Sequence, residues 1–132
     1  MPNERRLISS GGPFEARFGY SRAVVAGSHV YVAGTTSLNP DGSVHGAGDA
    51  YAQAKRCLEI ITSALSEARA EVADVVRTRM FVTDAAYSND VGRAHGEVFA
   101  NVRPAATMVV VAALIDPALL VEIEAEAVIR NA

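Results

Sequence analysis

The run Val121-Glu122-Ile123-Glu124-Ala125-Glu126 alternates acids with apolar residues. On an extended chain its three carboxylates share one face at intervals of roughly 7 Å. Left unpaired, they would repel. Arg77 and Arg79, two residues apart in Asp74–Thr83, are the cations a neighbouring strand would set against them, each exposed pair contributing about 1 kcal/mol or less. Such a ladder accounts for Glu124 and Glu126.

His95 falls inside an apolar helical stripe. That position suits a hydrogen-bonded core or interface histidine, or, if it borders a cleft, an acid or base titrating near neutrality. Cys57 lies on a helical core stripe, where a small buried thiol is expected and reactivity would need an accessible, electropositive setting. Ser9, Ser10, Thr35, Thr36 and Ser37 come with no nucleophile-elbow motif, and no glycine loop opens a helix for phosphate, so serine-hydrolase and nucleotide-binding readings fall away. His29 and His45 have no ligand-spaced partners, so no metal is assigned.

The elements that must position these groups are readable from periodicity. Ala23–Ala33 is two β-branched runs around Gly27-Ser28, which predicts a hairpin. Thr35–Gly48 concentrates Asn-Pro and Asp-Gly steps and reads as a loop. Asp49 can cap a helix to Arg69 whose stripe is Ala54, Cys57, Leu58, Ile61, Leu65 and Ala68. Asp74–Thr83 switches to period two, with Val76, Thr78, Met80 and Val82 on one face and Val75, Arg77, Arg79 and Phe81 on the other. A second helix from Ser88–Asp90 to about Asn101 carries Val91, Ala94, His95, Val98 and Phe99 on one side. Ala105–Ala113 and Leu119–Ile129 read as strands.

The resulting order β, β, β, α, β, α, β, β places two helices against about six strands, an α+β arrangement with both helices on one face of a mixed sheet. The other face would mix Val, Thr, Arg and Glu. It is too apolar for water and too charged for a monomer's core, so an oligomer that buries it is the economical expectation.

Composition sets the outer bounds. The chain has 132 residues, 13.9 kDa, one cysteine and a net charge of −3. That length predicts one domain over residues 1–132, burying about two thirds of its unfolded surface. One thiol allows neither an intramolecular disulfide nor a zinc finger or iron–sulfur site, which favours a reducing compartment. With no leader-like or membrane-spanning run, the expected location is the cytoplasm. The scattered arginines give no basic stripe for nucleic acid.

The segments Gly19-Tyr20-Ser21-Arg22-Ala23, Val30-Tyr31-Val32-Ala33-Gly34, Gln53 to Leu58, Asp74-Val75-Val76, Met80-Phe81-Val82-Thr83-Asp84, Arg103-Pro104-Ala105 and Val121-Glu122-Ile123-Glu124-Ala125 together resemble the RidA (YjgF) superfamily. The match runs from Gly19 to Ile129. The resemblance implies a chorismate-mutase-like fold, a homotrimer with sheets facing inward, no cofactor, and ligand clefts between subunits where reactive imines or enamines are hydrolysed. It makes Glu122 the carboxylate that orients or activates the attacking water. The substrate-binding positions become Tyr20, Ala33, Gly34, Ala106 and Met108, with His95 near the cleft entrance.

Departures matter as much. The family's deaminases place an arginine directly after Pro-Ala to grip the substrate carboxylate, and Ala106 occupies that slot. A methyl group cannot replace a bidentate guanidinium, so 2-imino acids are expected to be poor substrates. Arg103 and Arg79 are the arginines that could stand in. Ala33 replaces a serine, Gly92 an asparagine and Met108 a cysteine. The resulting expectation is hydrolysis of a differently charged imine. The alternatives are a non-catalytic small-molecule-binding trimer and, with less support, the endoribonuclease or translation-inhibitor role often attached to the superfamily.

Overall fold

The computed structural model describes residues 5–130. They form one six-stranded sheet, with strands β1 (Arg5–Ile8), β2 (Ala23–Ala26), β3 (His29–Thr35), β4 (Val75–Val82), β5 (Ala105–Val110) and β6 (Val121–Val128), in the spatial order β1-β2-β3-β6-β4-β5. Only β4 and β5 are parallel neighbours. The helices are α1 (Pro13–Phe18), α2 (Ala50–Glu67) and α3 (Ser88–Phe99), with short 3-10 turns at Val72–Asp74 and Ala85–Tyr87. Both β3-α2-β4 and β4-α3-β5 are crossovers between parallel strands, and β6 is inserted between β3 and β4. This is an α+β fold with a mixed sheet.

The core lies between the sheet and helices α2 and α3. Asp49 accepts from the Ala52 amide and caps α2, and the apolar stripe from Ala54 to Ala68 is buried as its spacing predicts. From β6 the stripe meets Val121, Ile123, Ala125 and Ala127, all buried, while Glu122, Glu124 and Glu126 point from the opposite, uncovered face.

Four expectations need correction. The strand Arg5–Ile8 and the helix α1 both precede the hairpin, so a third helix interrupts the expected β, β, β opening. In β4 the ladder with β6 shifts register between Val75 and Arg77. The bulge turns Val75 into the core and leaves Val76 47% exposed, the reverse of simple alternation. The expected strands at 105–113 and 119–129 are shorter because residues 111–120 form a loop, turned by Asp116, whose side chain accepts from Ala118 N and whose carbonyl accepts from Leu119 N. Finally, the carboxylate ladder is closed by Arg79 for both acids: its Nη1 lies 3.1 Å from Glu124 and 3.0 Å from Glu126. Arg77, although in register with Glu126, is not that acid's partner.

Candidate functional site

Glu122 is set apart from the other two acids of its strand. Arg79 holds Glu124 and Glu126, whereas Glu122 makes no ion pair among the described residues. It is half-buried, in register with Phe81 across β4. Burial pushes its carboxyl above the ordinary value of 4.5; the neighbouring charge of Glu124 adds to the rise and the Arg22 guanidinium opposes it. A carboxylate so placed holds a proton more readily than an exposed one while remaining suited to accept it from water.

The space it occupies is made by Gly34. Between Val32 and Thr35 the β3–β6 ladder is irregular, and the Glu122 carboxyl rests against the glycine. A Cβ at residue 34 would come within 3.1 Å of Glu122 Cδ and closer still to Oε2. Here the missing side chain is what admits the acid. Gly34, Phe81, Leu114, Glu122 and Glu124 line an open depression of about 400 Å³. A second of about 590 Å³ is lined by Leu7, Glu15, Tyr20, Tyr31 and Ala33. Ala33 lines the second depression and its chain neighbour Gly34 the first.

Two residues that sequence reasoning did not single out hold these depressions in shape. Arg22 Nη2 donates to the Gly34 carbonyl at 2.7 Å. Gln53, fully buried on α2, donates from Nε2 to the carbonyls of Gly46 and Ala118 and accepts from Leu120 N, at 3.2, 3.0 and 2.8 Å. It thereby ties the loop before α2 to the loop that supplies Leu114 and to the start of β6. The signal for Gln53 was available, since an uncharged amide on an otherwise apolar helical stripe must find partners. Arg22 gave no such signal.

Within a protomer the sequence-predicted residues separate into two groups. Gly34 and Glu122 line the first depression, and Tyr20 and Ala33 the second. His95, Ala106 and Met108 line neither: register pairs Ala106 with Thr78 and Met108 with Met80, on the helix-covered side of edge strand β5. His95 Nε2 lies 2.8 Å from the hydroxyl of buried Thr78, and its ring packs on Phe99 at 4.7 Å. Burial lowers its pKa from 6.5, which favours the neutral imidazole beside the Thr78 hydroxyl. Of the arginines that could stand in for the missing clamp, Arg79 is committed to Glu124 and Glu126. Arg103 sits exposed at a left-handed φ of 56° just before β5.

The remaining candidates are structural. Cys57 is buried and its thiol is pushed up to about 12, chiefly by burial and further by the charge of Glu122, which makes it a poor nucleophile. Ser9 and Ser10 donate to Glu15, whose carboxyl burial alone would raise but which these hydrogen bonds bring below its ordinary value. Among the described residues no three His, Cys, Asp or Glu side chains are grouped as metal ligands, and no helix is long and apolar enough to cross a membrane.

Comparison with known proteins identifies relatives and the fold. The family model for Endoribonuclease L-PSP matches residues 12–129. An uncharacterised protein of Streptomyces coelicolor is 42% identical over 122 residues, spanning 92% of this chain and 90% of its own length. The 3-aminoacrylate deaminase RutC of Acinetobacter baylyi is 36% identical over 104 residues, 79% of this chain and 82% of its own. A crystal structure of a YjgF-family member from Mycobacterium tuberculosis superposes with a TM-score of 0.86 at 48% identity, covering 96% of this chain and all of the other.

Proposed function

The chain belongs to the Endoribonuclease L-PSP (YjgF/RidA) family, and on that premise we propose that it hydrolyses a reactive imine or enamine in a cleft between subunits of a homotrimer. Glu122 orients water toward the imine carbon and takes up its proton as the C–O bond forms. Glu122 then gives that proton to the nitrogen, and the carbinolamine collapses to a carbonyl as its hydroxyl proton passes to the nitrogen, which leaves as ammonia or an amine. Tyr20, Ala33 and Gly34 form the wall against which the ligand lies.

The observation that carries this reading is the isolation of Glu122. Of three carboxylates on one face it is the one Arg79 does not hold, and it lies in a depression shaped by a glycine. The relative with a named deaminase activity, RutC, supports an imine- or enamine-derived substrate. Separation of Ala106 and Met108 from Glu122 supports a cleft completed by a second copy, whose β5 edge would approach the uncovered face of the first. The mixed Arg, Glu, Tyr and Val surface there also fits burial in a trimer. RNA is a weaker candidate, since the chain's net charge is −3 and Arg79 is already neutralised.

The substrate class follows from Ala106. With a methyl group in the clamp position, imines lacking a carboxylate are favoured over 2-imino acids. The test generates both kinds of imine in situ with oxidases and follows their disappearance, with oligomeric state checked by sedimentation. Accelerated hydrolysis of neutral imines by a trimer is expected, and Ala106→Arg should raise turnover of 2-imino acids at least about tenfold. Binding without acceleration for every imine would move the reading to a ligand-binding trimer, and a monomer at micromolar concentration would remove the inter-subunit cleft.

A further inference from the structure

Arg22 stands just before β2, with its carbonyl accepting from Ala33 N, so it is beside the residue that begins the Gly34 irregularity. Its guanidinium is partly buried. One arm, Nη2, donates to the Gly34 carbonyl at 2.7 Å, while Nε is buried with no acceptor among the described residues. A buried donor without a partner is costly, more so on a charged group, so packing alone does not explain an arginine here. What the position does offer is contact with the backbone of the one residue against which Glu122 rests.

We propose that Arg22 is a positioning residue for Glu122: its hydrogen bond fixes the Gly34 carbonyl behind the acid's berth and sets a guanidinium near the carboxylate. The inference rests on the reading of Glu122 as the working carboxylate. It assigns to Arg22 a task distinct from the substrate clamp lost at Ala106.

The charges around Glu122 leave this task to Arg22. On its own strand the neighbour is Glu124, which is repulsive and held by Arg79 from β4. On α2 the thiol of Cys57 is buried and neutral, pushed up by burial and by the charge of Glu122. The β4 residue in register, Phe81, and the loop residue Leu114 carry no charge. Arg22, whose guanidinium also feels Tyr20 and Glu15, is the cation that opposes burial and Glu124 at this carboxyl.

The experiment is a carboxyl-carbon NMR titration of the full chain labelled at glutamate Cδ, with the Glu122 signal assigned by its loss in Glu122→Gln. Arg22→Gln, which can still donate to Gly34 but carries no charge, should move the Glu122 midpoint up by about one pH unit, and Arg22→Lys should hold it near the wild-type value. A second measurement needs no change at Arg22. Its Nε–H resonance should shift with the Glu122 midpoint in the wild type and stay flat over that range in Glu122→Gln. An unmoved Glu122 midpoint in folded Arg22→Gln, or an Nε–H signal indifferent to Glu122, would overturn the assignment. Neither readout uses a substrate, so failure of imine hydrolysis and failure of this coupling are separate results.

Discussion

Glu122 rests its carboxyl against the backbone of Gly34, filling space that any side chain at residue 34 would occupy. The contact crosses from β3 to β6 at the point where their ladder loses register, so a local irregularity in pairing sets the position of the acid. The carboxylate is the far end of a flexible chain, and it is the partner that would yield.

Gly34→Ala therefore separates function from stability. The fold should lose no more than about 1 kcal/mol, because Glu122 can rotate away rather than force the strands apart. Turnover or ligand affinity should fall about 10- to 100-fold, as expected for a displaced reacting group. Chemical denaturation alongside the imine assay checks both, and an unchanged rate would detach Gly34 from the site.

Gln53→Ala should behave in the opposite way. It strips partners from the Gly46 and Ala118 carbonyls and the Leu120 amide together, which predicts a loss of about 2–4 kcal/mol in urea unfolding. Hydrogen exchange should rise in the 111–120 loop before it rises in α2. A loss below about 0.5 kcal/mol would show that water replaces the amide without cost.

His95 gives a pH signature. Burial lowers its pKa below 6.5 in the folded chain, so between the folded and unfolded values the unfolded state binds more protons. Stability then falls as pH drops below about 6.5, by at most about 1.4 kcal/mol per unit, until the folded pKa is passed. His95→Gln can keep a hydrogen bond to Thr78 without titrating. The wild type should lose stability relative to this variant on acidification from pH 7 to 5, and parallel curves would show that His95 does not titrate differently in the two states.

Much of this was legible in the sequence, and the parts that were not share a cause. The Gly27-Ser28 turn, the α2 stripe and the alternation of β6 follow from local rules that hold whatever surrounds them. The α1 helix has six residues and β1 four, too few for a period to declare itself. The reversal at Val75 and Val76 is a property of two strands in register, invisible in either one. Arg79 closes on both acids for the same reason. At the site, the family resemblance names Glu122, Gly34, Tyr20 and Ala33, and the contact of Glu122 with Gly34 is visible only in the structure. Arg22 stands in one of the resembling segments without a role there, because its contact is a hydrogen bond to a backbone carbonyl twelve residues away.

The central claim is that Glu122 activates water while its strand neighbours only balance Arg79. Turnover of a hydrolysable imine by Glu122→Gln and by Glu126→Gln, each shown to keep the wild-type oligomer, tests it most directly. The substitution at Glu122 keeps shape and hydrogen bonding but removes the base, and the rate should fall by about 10² to 10⁴. At Glu126 it should leave turnover within about twofold and cost a few tenths of a kcal/mol in stability. Equal losses at the two positions, or an undiminished rate in Glu122→Gln, would contradict the account.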